Sequence, residues 1–291
     1  MSEFEGCARG EANALALAEA GPGWPGNAPK IARQGDLMQD RYVGDVGDFG
    51  KYGLLRWLCG ARHADDQPPL RLGILWYLVP DESQVNDGKH TGYLDKPDTY
   101  RDCDPDLFDA LFRIVKGRTR SVREVEAARL FPEDTVFYDT VLTYDTIRRK
   151  DERLAQRENW LKGGLSETKA CDVVFLDPDN GLEVPSAPKH TKRAPKYAYY
   201  DEVRRFTDRG QSLVIYHHLC RQGNARQQVD ARVEQIHWRS GVDKVFPLIL
   251  RRGTARAFFI LPTPSYTSVI QSRLDAMKNH PWMTRQHFDL L

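Results

Sequence analysis

The sequence predicts an α/β fold in which a mostly parallel sheet is covered by helices on both faces. Short apolar runs alternate with stretches of helical periodicity from residue 49 to residue 279, a pattern that favours parallel strands joined by right-handed crossover helices. The last two strand-like runs, Lys244–Leu250 and Ala255–Leu261, are joined by four residues and predict an antiparallel hairpin. Short helical patterns within residues 81–133 predict a helical insertion. The expected architecture is therefore Rossmann-like.

Each predicted element depends on a local pattern of residues. Leucines and Trp57 at helical spacing predict a helix over Phe49–His63, and the apolar run Arg71–Val79 predicts the first strand. Ser121 and Glu124 have the spacing of a capping box. The remaining predicted elements are helices Asp106–Lys116 and Ser121–Leu130, strand Thr135–Tyr138, helix Asp145–Leu161, strand Asp172–Leu176, helix Tyr197–Asp208, strand Ser212–Tyr216, helix Ala225–Trp238, the hairpin and helix Tyr266–Asn279.

Composition limits the class of protein. The chain has 291 residues, of which 41% are hydrophobic and 29% charged, as in ordinary globular proteins. Its five cysteines form no Cys-x-x-Cys pair, so we expect a reducing, cytoplasmic compartment, and its longest apolar run is too short to span a membrane. Residues 1–37 are rich in Gly, Ala and Pro and predict a disordered tail before one domain at 38–291. Whether translation starts at Met1 or Met38 is left open, as is the oligomeric state.

A net charge of +1 conceals an uneven distribution of charge. Lys189–Arg256 contains 15 basic and six acidic residues, whereas Asp81–Asp109 contains nine acidic and three basic residues. Tyr197, Tyr199 and Tyr200 lie within the basic part, where they are available to stack on bases while the cations contact phosphates. This distribution predicts a nucleic acid or nucleotide partner.

The first candidate site follows the predicted strand that ends at Leu176. Asp177 and Pro178 come directly after that strand, and Asp179, Asn180 and Glu183 follow closely. Because proline restricts the backbone around it, the carboxylate before it is held in a defined direction. Such a carboxylate accepts hydrogen bonds from an amine or binds a hard metal ion.

The second candidate site is the glycine-rich segment Tyr42–Arg56. Asp48 is placed to cap the following helix, with Lys51 and Tyr52 in its first turn. A lysine is unusual there, because cations favour the other end of a helix. The position suits a ligand that meets Lys51 and the free backbone N–H groups together.

Together these two segments resemble the ribosomal-RNA large-subunit adenine amino-methyltransferases, as does the hairpin at the end of the sheet, which is the layout of class I methyltransferases. Gly44–Tyr52 is similar to their Gly-Asn-x-Ala-Asp-x-x-Lys-His element, and Asp177–Asn180 occupies the place of their Asp-Pro-Pro-Tyr. The resemblance implies a Rossmann-like fold that uses S-adenosylmethionine. It implies a catalytic role for Asp177 with Asp179 and Asn180, a cofactor pocket near Asp48, Lys51 and Tyr52, and a substrate contact at Tyr42.

Further candidates and two alternatives remain open at this point. Asp139 is a candidate acceptor for cofactor ribose hydroxyls, and His217, His218 and Arg221 are candidate substrate contacts. Asp177, Asp179 and Glu183 are also able to bind Mg²⁺ or Mn²⁺ in a metal-dependent phosphodiesterase or nuclease. No Gly-x-Gly follows the first predicted strand, although Asn86–Gly92 is a possible replacement. A degenerate, non-catalytic nucleic-acid-binding module is therefore a third hypothesis.

Overall fold

The computed structural model describes residues 40, 42–60, 68–80, 90–117, 120–220 and 223–291. The helices are α1 (Val46–Cys59), α2 (Pro97–Tyr100), α3 (Pro105–Lys116), α4 (Val122–Ala127), α5 (Lys150–Glu167), α6 (Tyr200–Thr207), α7 (Ala225–Ser240), α8 (Thr267–Met277) and α9 (Pro281–Thr284). The strands are β1 (Leu72–Trp76), β2 (Val136–Tyr138), β3 (Val173–Asp177), β4 (Gly181–Leu182), β5 (Tyr197–Ala198), β6 (Ser212–His218), β7 (Phe246–Leu250), β8 (Arg256–Leu261) and β9 (Phe288–Leu290).

The main sheet has the strand order β2-β1-β3-β6-β8-β7-β9. Strands β2, β1, β3 and β6 are parallel to one another, and β8 lies antiparallel between β6 and β7. The carboxyl ends of β1, β3 and β6 therefore meet at one edge, where ligands bind in open α/β sheets. β4 and β5 form a separate parallel pair that begins just beyond β3.

Both faces of the main sheet are covered, as the sequence predicts. One face packs against α1, α3 and α8 through side chains such as Leu54, Leu111 and Leu274. The other packs against α5, α6 and α7 through side chains such as Leu161, Val203 and Ile236. A sheet buried on both faces gives its strands nearly continuous apolar runs, which is why β3 and β6 were identifiable from sequence.

Helix α1 packs unusually closely on its surroundings because of its glycines. A Cβ atom at Gly47 would lie 2.5 Å from the Arg256 guanidinium carbon, and one at Gly53 would lie 2.1 Å from the Trp282 ring. These glycines let the β7–β8 hairpin and α9 contact the helix backbone. The glycine-rich segment therefore positions α1 at the carboxyl edge of the sheet.

Several predicted boundaries were wrong in part. α5 starts at Lys150 rather than Asp145 and continues to Glu167, because residues 139–149 pack their apolar side chains without forming a helix. β1 ends at Trp76, β6 continues to His218, and α9 with β9 was not predicted. Within the predicted insertion, Ser121 caps α4 through Glu124 N as expected. The tail at residues 1–37, Met38 and residues 81–89 lie outside the described residues.

Candidate functional site

A cleft of about 220 Å³ opens at the carboxyl edge of the sheet, between the start of α1 and the ends of β1, β3 and β6. Its lining includes both candidate segments identified in the sequence. The lining residues are Tyr42, Val43, Asp45, Gly47, Asp48, Lys51, Tyr52, Trp76, Val122, Asp177, Pro178, Asp179, Asn180, Tyr216, His218 and Arg256.

Lys51 joins the two candidate segments. Its ammonium lies 2.9 Å from Asp177 Oδ2 and 2.9 Å from Asp48 Oδ1, and it sits 5.3 Å from the centroid of the Tyr216 ring. The Lys51 and Asp177 side chains are only 12% and 6% exposed. Lys51 and Asp177 are 126 positions apart in the chain and form one buried ion pair in the fold.

The start of α1 holds Asp48 in place, although Asp48 is not its cap as the sequence suggested. Asp45 is the N-cap, and its Oδ1 accepts from Asp48 N at 2.9 Å. Asp48 lies in the first turn of the helix, where its Oδ2 accepts from Tyr52 Oη at 3.0 Å and from Gly44 N at 3.2 Å. The Gly-Asp-x-Gly-Asp spacing thus supplies one carboxylate for the cap and another for Lys51.

Burial and charge determine the protonation of these groups. Burial raises the pKa of Asp177 to about 6, against the opposing effect of Lys51. For Lys51, burial favours the neutral amine, but Asp177 and Asp48 outweigh it and raise its pKa above the ordinary value. Burial, with Asp48 and Asp177 nearby, also raises the pKa of Tyr52 well above the usual range, so its phenol stays protonated. At neutral pH the cleft therefore contains the Lys51 ammonium beside the Asp177 carboxylate.

Arg256 is one of the lining residues that the sequence did not predict. It comes from β8, and its Nε donates to Tyr216 Oη at 3.0 Å while Nη2 lies 3.4 Å from Asp45 Oδ2. The signal in the sequence was Gly47, since a glycine in the first turn of a helix often marks a close approach. Nothing in the sequence identified which residue approaches it.

The two adjacent histidines face opposite sides of β6. His218 lines the cleft, with its Nε2 3.3 Å from Thr254 Oγ1. His217 is buried on the other side, where its Nδ1 accepts from Leu182 N at 3.0 Å, and burial lowers its pKa to about 3. His217 therefore acts as a neutral acceptor that holds β4 to β6, outside the cleft lining.

The remaining candidates are divided between the cleft and its surroundings. Tyr42, Asp179 and Asn180 line the cleft, and Asp179 lies 3.9 Å from Lys196 Nζ. Glu183 lies outside the lining and pairs with Arg239 Nη2 at 2.6 Å. The candidate metal ligands listed from the sequence are thus separated, since two face the cleft and Glu183 is held by an arginine.

Of the two remaining candidates, one lies away from the cleft and the other is outside the described residues. Asp139 follows β2, at the edge of the sheet, and is not among the lining residues. Arg221 lies outside the described residues. Within the described part of the chain, no group of three or more His, Cys, Asp or Glu side chains has the arrangement of a metal site.

Comparisons with known proteins do not identify this chain. No family model matches it, and no curated protein is similar to it. Among the described residues, no helix is both long enough and apolar enough to cross a membrane.

Proposed function

We propose that this chain is a methyltransferase-like enzyme that uses S-adenosylmethionine to modify an amino group of a nucleic acid or nucleotide. The observation that carries the proposal is the 2.9 Å contact between Lys51 and Asp177. It brings the two segments that resemble the amino-methyltransferase motifs into one cleft, at the sheet edge where such folds bind ligands. Two segments without a shared role would not need to lie in the same cleft.

Asp177 has the position and chemistry needed to orient an amine. Its Oδ2 accepts from Lys51, and among the described residues none donates to Oδ1. With a pKa of about 6, the carboxylate is mostly ionised at neutral pH. In the proposed role, Oδ1 accepts a hydrogen bond from the target amine, which aims the nitrogen lone pair away from the carboxylate.

The charge of the cleft supports a cationic or amine-bearing ligand. Among the described residues, four carboxylates and two strong cations line it, so with all six ionised their net charge is −2. Tyr42, Tyr52 and Trp76 add aromatic surface for a planar base. These residues fit S-adenosylmethionine, which when bound supplies a methyl group on a sulfonium cation. Lys51, Asp48 and Tyr52 are the residues that would hold it.

Calorimetry with S-adenosylhomocysteine and with Mn²⁺ tests the proposal against the metal-dependent alternative. We expect the wild-type protein to bind the nucleoside. Lys51→Met should bind it at least about tenfold more weakly, because Lys51 holds the Asp48 and Asp177 side chains of the cleft in position. We also expect Asp177→Asn to keep nucleoside binding and to lose transfer of a labelled methyl group to nucleotide mixtures.

Asp172→Asn is the matched control, because Asp172 precedes the same strand at the opposite edge of the sheet. It should behave as wild type in both assays once its folding is verified. Binding of Mn²⁺ that depends on Asp177, without any binding of the nucleoside, would reject the proposal in favour of the phosphodiesterase. Failure of both ligands to bind would favour the non-catalytic binding module.

A further inference from the structure

We propose that Arg256 is the anion receptor of the cleft and takes a carboxylate or phosphoryl group of the bound ligand through its two terminal nitrogens. This inference rests on the proposed function in taking the cleft to be a ligand site. It adds a residue from the hairpin, which neither the motifs nor the resemblance includes.

Arg256 is placed by the sheet rather than by a loop. It is the first residue of β8, where it pairs with His218 of β6 and Leu250 of β7. Its side chain is 9% exposed and lines the cleft beside the start of α1. The Nε donates to Tyr216 Oη at 3.0 Å, which fixes the direction of the guanidinium plane.

Among the described residues, the terminal nitrogens of Arg256 have only long contacts. Nη2 lies 3.4 Å from Asp45 Oδ2, and Nη1 lies 3.4 Å and 3.3 Å from the carbonyl oxygens of Arg252 and Thr254. Charge-assisted hydrogen bonds are normally about 2.7–2.9 Å long. The four N–H groups on these nitrogens therefore keep most of their capacity to bind an anion.

Arg157, a second buried arginine, shows how a structural guanidinium is satisfied in the same protein. Its Nε and Nη2 donate to the Glu202 carboxylate at 2.5 and 2.8 Å. Nη1 and Nη2 also donate to carbonyl oxygens at 2.9 and 2.6 Å. Arg157 has a complete set of short bonds and lines no part of the cleft, in contrast to Arg256.

Gly47 keeps space for the guanidinium next to the backbone of α1. A Cβ atom there would lie 2.5 Å from the central carbon of the group and 2.8 Å from both terminal nitrogens. Asp45, the nearest carboxylate, already uses its other oxygen to cap α1. An incoming anion would thus meet a cation that is fixed in direction and incompletely neutralised.

Lys51 is a poorer receptor for an anion. Its ammonium already contacts two carboxylates at 2.9 Å, whereas Arg256 has one at 3.4 Å. The cleft therefore has an anionic part around Asp177 and a cationic part at Arg256. A ligand carrying both an amine and an anionic group matches this division.

The test compares S-adenosylhomocysteine with its decarboxylated analogue, and both with inorganic phosphate, by calorimetry. We expect the wild type to prefer the carboxylate-bearing nucleoside by about tenfold or more. Arg256→Met should abolish this preference, and Arg256→Lys should keep only part of it because a lysine cannot form the bidentate fork. Arg251→Met, an exposed arginine of the same hairpin, is the matched control and should keep the full preference.

Each result decides a separate question. An unchanged preference in Arg256→Met would overturn the inference while leaving the proposed function intact. If the wild type binds neither nucleoside, the proposed function fails, and the phosphate titration then tests Arg256 separately. Phosphate binding that depends on Arg256 supports a phosphoryl ligand. Absence of such binding rejects Arg256 as an anion receptor. If Arg256→Met does not fold, the Nε–Hε NMR signal of Arg256 is followed in the wild type during titration with S-adenosylhomocysteine or phosphate. A signal that does not shift with either ligand rejects the inference.

Discussion

Two buried ion pairs lie on opposite faces of the sheet and differ in what surrounds them. Arg157 and Glu202, 2% and 1% exposed, form a two-bond fork between α5 and α6, and carbonyl oxygens complete the arginine. Lys51 and Asp177 form a single contact at the wall of a cleft, with Asp48 and Asp179 close by. The Arg157–Glu202 pair is saturated with hydrogen bonds. In the Lys51–Asp177 pair, Asp177 Oδ1 accepts from no described residue, and carboxylates outnumber cations in the cleft lining.

The difference indicates which pair serves stability and which is available for chemistry. A buried charge costs free energy unless its partners are complete, so a saturated pair joins elements of the fold. A buried pair with unfilled hydrogen-bonding positions retains part of this desolvation cost until a ligand occupies those positions. At Asp177, burial raises the pKa to about 6 even with Lys51 beside it, as expected for an incompletely paired carboxyl group.

The largest expected effect comes from breaking the saturated pair. Arg157→Met leaves the Glu202 carboxylate buried without its partner, and we expect a loss of about 3–5 kcal/mol in the free energy of unfolding. Urea unfolding followed by circular dichroism measures it. Arg226→Met, which removes an exposed helical pair with Asp230, should cost less than about 1 kcal/mol. Equal losses in the two variants would contradict the structural role given to Arg157.

Breaking the pair in the cleft should cost less, and the cost should depend on pH. Without Lys51, Asp177 can remain neutral by holding a proton, so Lys51→Met should cost about 1–3 kcal/mol at pH 8 and clearly less at pH 5. Unfolding midpoints at the two pH values give the comparison. A cost independent of pH would show that Asp177 does not respond to Lys51.

The two groups with shifted pKa values affect stability in opposite directions. Asp177 has a folded pKa of about 6, above its ordinary 3.8, so the native state binds more protons and stability from this group falls as pH rises from about 4 to 6. His217 has a folded pKa of about 3, below its ordinary 6.5, so stability from this group rises as pH rises from 3 to 6.5.

Asp177→Asn should therefore make the free energy of unfolding increase more steeply between pH 4 and 6, by up to about 2 kcal/mol over that interval. His217→Gln should flatten the increase. Urea titrations at half-unit pH steps distinguish the two slopes. Identical pH profiles of unfolding for Asp177→Asn and wild type would mean that the pKa of Asp177 is not shifted by folding.

Two glycines of α1 should differ in how well they tolerate a methyl group, and the change at Gly47 is the smallest effect expected. Gly53→Ala places a methyl group against the buried Trp282 ring, which has little room to move, and should cost about 1–3 kcal/mol. Gly47→Ala meets only the end of the Arg256 side chain, so it should cost about 1 kcal/mol or less. Thermal melting compares them, and a larger loss at Gly47 would contradict the packing described for this helix.

Much of the fold was predictable because its signals are local. The apolar runs of β3 and β6, the hairpin and the capping pair Ser121 and Glu124 all appear where they were expected, although the hairpin connection has five residues instead of four. The start of α5 was not, because the residues just before it are held by partners distant in sequence. Leu142 and Tyr144 are buried, and Leu142 N donates to Leu78 O. The N-cap was assigned to Asp48 instead of Asp45 because both acidic residues fit the pattern and only the hydrogen bond distinguishes them.

The sequence by itself determined the class of the fold and the two segments that line the cleft, since strand periodicity and glycine or proline positions act over a few residues. Only the tertiary structure decided that Lys51 pairs with Asp177, that His218 faces the cleft while His217 does not, and that Arg256 approaches Gly47. These contacts join residues far apart in the chain. Their existence depends on strand order and register, which the packing of the whole sheet determines.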